Sequence, residues 1–150
     1  MNKHKHPFPL SAAIVYKEIS GIWRKSKKTA ACITIGGGLM LIKTEDMKVE
    51  LRTGEREGTL TRLVDDALMH NKSKLFARIT LKPGAKTPLH KHEGDFEVYY
   101  IVAGQAMVND NGDLKPAKAG DIIFTDHGES HSMENIGETD LEFIALILTL

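Results

Sequence analysis

The sequence predicts an all-β fold, and three observations predict it. Beyond residue 40 the apolar residues come in short groups, several of them strictly alternating with polar ones. Turn residues, mostly glycine, recur between these groups at regular intervals. The groups themselves are rich in β-branched and aromatic side chains, as in Val98-Tyr99-Tyr100-Ile101-Val102. Many short strands with glycine turns point to a sandwich or barrel.

The elements follow in order. Leu75 to Leu81 alternates cleanly: Leu75, Ala77, Ile79 and Leu81 face one way, and Phe76, Arg78 and Thr80 the other. Lys82-Pro83-Gly84 then stops the strand. Val98 to Val102 is a second strand, ended by Gly104. Asn109-Asp110-Asn111-Gly112-Asp113 contains an Asn-Gly pair, a strong hairpin signal because both residues tolerate positive φ. Asp121 to Thr125 and Leu141 to Leu150 supply further strands. The last is apolar on both faces at its end, so both faces are expected to be covered. Thr61 to His70 is the one stretch with helical spacing, through Leu60, Leu63, Val64, Ala67 and Leu68, although a strand pair could use the same residues.

The 150 residues suit one domain. A single cysteine, Cys32, excludes an internal disulfide framework. No stretch approaches the ~18 apolar residues of a membrane span, so no membrane partner is expected. Twenty basic and 20 acidic side chains leave no cation surplus, which argues against a general nucleic-acid binder. That balance conceals a split: residues 1–39 carry seven bases and one acid, leaving 13 bases and 19 acids in residues 40–150. Residues 1–39 read as a poorly structured basic extension, and the run Gly36-Gly37-Gly38-Leu39 before Met40 is what a translated ribosome-binding leader would give. On that expectation the folded domain is 40–150, and it is expected to be cytoplasmic.

Four of the seven histidines cluster in the second half, at His90, His92, His127 and His131. His90 and His92, two apart on an extended chain, leave from one face and can share a metal ion. Glu97 lies an odd five residues past His92, but Glu93-Gly94-Asp95 offers the bend that returns it to that face. His131, past the turn Asp126-His127-Gly128-Glu129, can approach from a neighbouring strand. Three imidazoles and a carboxylate suit a divalent transition metal, with positions left for water or substrate.

Residues 84–135 resemble a cupin domain. Gly84, His90, His92, Glu97 and Gly104 fit the spacing of the first cupin motif, and Gly120, Gly128, His131 and Asn135 fit the second. Asp126 stands where the family has proline, which puts the rigidity of that turn in question and leaves the ligand set intact. The resemblance implies a jelly-roll barrel whose mouth holds one divalent metal (Mn, Fe, Zn or Ni) on His90, His92, Glu97 and His131. It implies a homodimer and a small polar or anionic ligand. The activities it implies range over dioxygenases, oxalate-type decarboxylases, sugar-phosphate isomerases and members that bind without turnover, and no catalytic residue is assigned. Among the neighbours, His127 reads as a surface histidine, Glu93 and Asp95 as solvated loop acids able to stand in for Glu97, and Arg78 and Thr80 as an exposed sheet face. Tyr99 shares the alternation of Glu97 and Ile101 and is expected inside the barrel. Cys32 has no activating neighbours.

Overall fold

The computed structural model describes residues 41–150; the expectations for residues 1–39, Cys32 included, lie outside them. Its strands are β1 (Val49–Arg52), β2 (Gly58–Arg62), β3 (Ser73–Leu81), β4 (His90–Lys91), β5 (Asp95–Ala103), β6 (Gln105–Asp110), β7 (Asp113–Lys118), β8 (Ile122–Thr125), β9 (Ser130–Asn135) and β10 (Leu141–Thr149). They form two antiparallel sheets, one of six strands in the order β1-β2-β3-β10-β5-β8 and one of four in the order β4-β9-β6-β7. This is all-β, as the alternation predicts, and two such sheets make the jelly roll that the resemblance implies. No helix among the described residues is long and apolar enough to cross a membrane.

Period-two alternation decides what each strand contributes. In β3, Ala77, Ile79 and Leu81 are buried, while Arg78 faces outward to Glu142 at 3.8 Å. Thr80, on the same outer face, meets the Thr59 hydroxyl at 2.7 Å. On β10, Phe143 and Ala145 turn inward against Ile101 and Tyr99 of β5. Phe143, Leu81, Ile101, Met133 and Leu141 are fully enclosed, each worth roughly 1.5–3 kcal/mol of burial. The opposite face of β10 is not fully covered within the single chain. Ile144, Leu146 and Leu148 are only half-buried, because the six-stranded sheet packs one face on the core and leaves the other open.

Of the two readings open for Thr61 to His70, the helix does not form, and the strand pair takes only the start of the stretch. Thr61 and Arg62 end β2, and the Leu63 amide extends the pairing by donating to the Phe76 carbonyl at 2.9 Å. A compact turn follows. The Ala67 amide donates to the Asp65 carboxylate at 3.0 Å, and His70 and Asn71 adopt left-handed φ of 54° and 55°. Those two residues end the incipient coil before a second turn can add to it.

The Asn-Gly hairpin forms between β6 and β7, with φ of 52° at Asn111 and 103° at Gly112. Gly104, between β5 and β6, has φ of 91°, and a Cβ there would lie 2.9 Å from Leu141 Cα and 3.0 Å from the Asp140 carbonyl oxygen. Both neighbours are backbone and cannot yield cheaply. Gly104→Ala is therefore expected to lower the unfolding free energy by about 1–3 kcal/mol, read from the denaturant midpoint at unchanged slope.

Candidate metal centre

The site is built across the two sheets. His90 on β4 pairs in register with His131 on β9, so both imidazoles leave from the same face. His92 follows directly: its amide donates to the Glu129 carbonyl at 3.0 Å, and its carbonyl accepts the Gly128 amide at 2.8 Å. The chain then bends at Gly94, with φ of 75°, and enters β5. That bend reverses the parity of the odd step and turns Glu97, Tyr99 and Ile101 into the barrel. The turn before β9 is held without the family's proline. Asp126 donates its amide to the Glu129 carboxylate at 2.9 Å and accepts the His127 amide at 2.7 Å.

One donor atom from each of His90, His92, Glu97 and His131 lies within 4.8 Å of the others. His131 Nε2 is 3.2 Å from His92 Nε2, 3.1 Å from His90 Nε2 and 2.8 Å from Glu97 Oε2. Glu97 Oε2 is 3.4 Å from the Nε2 atoms of both His90 and His92. Glu97 and His131 are each 2% exposed, and His92 is buried too.

The partners of the other ring nitrogens fix the tautomers. His90 Nδ1 lies 2.9 Å from the Pro88 carbonyl, and His92 Nδ1 lies 2.8 Å from the Asp95 carboxylate. A carbonyl and a carboxylate only accept, so both Nδ1 atoms carry a proton, and in the neutral rings both Nε2 atoms present lone pairs. Two lone pairs and a carboxylate oxygen thus crowd around His131 Nε2, whose single proton could satisfy one of them. A shared cation relieves that crowding. Separations near 3 Å are also what bonds of about 2.0–2.2 Å impose on adjacent ligands. The residues fit a divalent metal ion, which three Nε2 atoms and a Glu97 oxygen would hold.

Electrostatics agree with that donor set. Burial works against the Glu97 charge, but hydrogen bonds from His131 and then His90 outweigh it and lower its pKa to about 2. The bond to Glu97 raises His90 above its ordinary 6.5. Burial, reinforced by the Glu97 charge, raises Tyr99 well above 10 and keeps its hydroxyl protonated. The Tyr99 ring lies 5.0 Å from that of His131 and 4.7 Å from that of Phe143, inside the barrel as its alternation predicts.

Asp95 corrects the expectation of a solvated loop acid. It is 6% exposed, accepts from His92 Nδ1 and pairs with Lys74 across from β3. Burial opposes its charge, yet the Lys74 bond and then the His92 bond hold its pKa below the ordinary value. It orients a donor ring rather than replacing Glu97. The sequence signal was the three-residue step from His92 over Gly94, legible only once that glycine is known to reverse the chain. Glu93 remains an exposed loop acid, 3.3 Å from Lys91. His127 stays outside the donor set, its Nδ1 accepting the Gly94 amide at 2.9 Å. Asn135 is a buried brace: its amide group donates to the Leu81 and Thr139 carbonyls at 2.9 and 2.8 Å.

Comparison with known proteins agrees with this architecture. The cupin domain family matches residues 77–147. An oxalate-binding protein of Thermotoga maritima is 49% identical over 115 residues, spanning 74% of this chain and 95% of that protein. A crystal structure from Thermotoga maritima, described as a predicted oxalate decarboxylase, superposes with a TM-score of 0.70 at 48% identity, covering 74% of this chain and all of that one. An uncharacterized protein of Methanocaldococcus jannaschii is 27% identical over 71% of this chain and 85% of its own length.

Two predictions follow from the donor chemistry. A metal needs His90 deprotonated, whereas the metal-free site gains from the His90 proton shared with Glu97. That gain is present below pH 6.5 and is lost as pH rises through the raised folded value. The melting-temperature gap between metal-loaded and chelator-stripped protein should therefore widen from about pH 5.5 to pH 8; a gap that narrows would contradict this donor set. Separately, Asp95→Asn should weaken metal affinity by about 10–100-fold while preserving the fold, measured by competitive titration with a chromophoric chelator.

Proposed function

The chain belongs to the cupin family, and from that premise we propose that it is a small metal-dependent binding protein for an oxalate-like carboxylate anion. The observation that carries the reading is the convergence of donor atoms from His90, His92, Glu97 and His131 to within 4.8 Å of one another. The oxalate-binding name of the Thermotoga maritima relative at 49% identity supports the ligand class. Bound there, a divalent ion of the Mn, Fe, Zn or Ni type supplies Lewis acidity toward oxygen donors. The protein's own residues set what such a ligand meets. Three neutral imidazoles and one carboxylate leave the loaded centre with net positive charge. Tyr99 and Phe143 close the barrel floor against water.

Binding without turnover is favoured by the state of the nearby acids. Glu97 belongs to the donor set, and Asp95 is tied to His92 and Lys74. Asp110, the register partner of His131, is kept ionised by Lys115. Decarboxylation of oxalate would consume one proton to give formate and carbon dioxide, and none of these three acids holds a proton to give. A carrier or sensor in the cytoplasm fits that description. The decarboxylase description of the crystal structure with TM-score 0.70 supports the second reading, turnover.

A homodimer is part of the same proposal. The outer face of the six-stranded sheet carries Tyr100 and Val102 on β5 beside Ile122 and Phe124 on β8, all exposed, with the half-buried Ile144 and Leu146 next to them. So large an uncharged patch supports a self-complementary, two-fold contact. Phe124→Lys is expected to convert dimer to monomer in analytical ultracentrifugation while leaving metal content unchanged.

Titration with Mn(II), Fe(II), Ni(II) and Zn(II), followed by oxalate calorimetry, tests the central reading. At least one ion should bind at micromolar affinity or better, and an ion at about 100 times its Kd should add about 2.7 kcal/mol of stability. His131→Ala should lower that affinity by at least ~100-fold. Formate release from oxalate by loaded protein would favour the decarboxylase.

A further inference from the structure

The donor set explains how a ligand's first oxygen is received, and leaves two cations from one short segment unexplained. Arg52 ends β1, at the open edge of the six-stranded sheet. Its register runs Arg52↔Gly58, Gly58↔Leu81 and Leu81↔Leu141 across four strands. Cross-strand partners project to the same face. Leu81 and Leu141 are core residues, and Arg52, on their face, is the one residue of β1 that is partly buried. The adjacent position is Gly58, where a Cβ would lie 2.0 Å from the Thr80 carbonyl oxygen, so only glycine lets β2 pass this close to β3 beside Arg52.

The Arg52 side chain is 20% exposed, and its one ionic contact is Nε to the exposed Glu50 at 3.4 Å. Its Nη atoms have no hydrogen-bond partner among the described residues. Enclosing a guanidinium that far, with its planar fork open, costs free energy unless an anion completes it. Arg56 follows in the single turn Gly54–Arg56, which is fastened beside the approach to His90. The Lys86 amide donates to the Glu55 carbonyl at 2.7 Å, and the Lys82 amide to the Glu57 carbonyl at 2.9 Å. Three residues past Lys86 and Thr87 the chain reaches His90 itself.

We propose that Arg52, with Arg56 at the rim, is the anion-reading side of this metal site, so that the ligand class is a small dianion with two carboxylates. One carboxylate completes the metal's coordination, and the other meets the Arg52 fork in a charge-assisted pair. A monocarboxylate satisfies the first contact only. This inference rests on the proposed metal-dependent binding and adds to it the residue that selects two charges over one.

Calorimetry of oxalate and of acetate against protein loaded with its bound metal tests it, for wild type, Arg52→Met, Arg52→Lys and Arg56→Gln. Arg52→Met is expected to weaken oxalate by ~10–100-fold, with acetate and metal affinity changed less than about threefold. Arg52→Lys should recover part of the loss, and Arg56→Gln should give a smaller one that fades in high salt. Equal oxalate affinity in wild type and all three variants would overturn the assignment and leave the metal-binding reading intact. So would a parallel loss of oxalate, acetate and metal affinity, which marks a structural role. Should Arg52→Met fail to fold, the Arg52→Lys and Arg56→Gln ratios of oxalate to acetate decide it alone. If loaded wild-type protein binds no oxalate, the underlying reading falls, and this inference with it.

Discussion

Lone pairs from His90 and His92, aimed with the Glu97 carboxylate at His131 Nε2, are the constraint around which this barrel is arranged. Such a cluster repels itself in a buried setting unless a positive charge sits among its members. Everything that holds the four side chains in place must therefore withstand that repulsion or be relieved of it. The two sheets share the load. Three imidazoles come from β4, its extension and β9, and the carboxylate comes from β5 on the opposite wall.

The means of holding are mostly backbone. Chain 84–92 runs along β9 as an interrupted strand: Gly84 and Thr87 donate to the Asn135 and Met133 carbonyls at 2.9 and 2.8 Å, and the Thr87 hydroxyl accepts the Met133 amide at 2.8 Å. Short pairings of this kind place His90 opposite His131 without a long regular strand, and they leave room for the Pro88 carbonyl to select the His90 tautomer. The Asp95–Lys74 pair does the equivalent for His92, and does it from a third strand. A ring whose tautomer is fixed from behind needs no reorganisation to act as a donor.

Charge is distributed in layers around that centre. Acids closest to it are consumed by the donor set or by its supports. Under the proposed function, this ordering would let the site attract oxygen anions while its carboxylates hold no proton to give. It also gives the N-terminal strand a purpose beyond closing the barrel edge, since β1 carries Arg52 and positions the turn that carries Arg56.

Much of this was legible in residue order. The alternation of Leu75 to Leu81 assigned β3 and its buried face, the Asn111-Gly112 pair located the β6–β7 hairpin, and the spacing of His90, His92, Glu97 and His131 selected the four side chains that converge. These are local or periodic properties, fixed by which way consecutive side chains point. The turn at 63–72 was not legible because one apolar spacing serves a helix or a strand end, and only pairing with Phe76 decides between them. Asp95 was misread because its burial depends on Lys74, 21 residues away in sequence and adjacent in space. Arg52 could not be singled out at all, since sharing a face with core residues is a property of its register against Gly58 and Leu81. The sequence by itself determined strands such as β3 and β5, the Asn-Gly hairpin and the four candidate donors, because these follow from short-range geometry and motif spacing. The tertiary structure alone decided which tautomers they present, which acids are spent and which cation shares a face with the core, because these depend on neighbours that sheet pairing brings from distant parts of the chain.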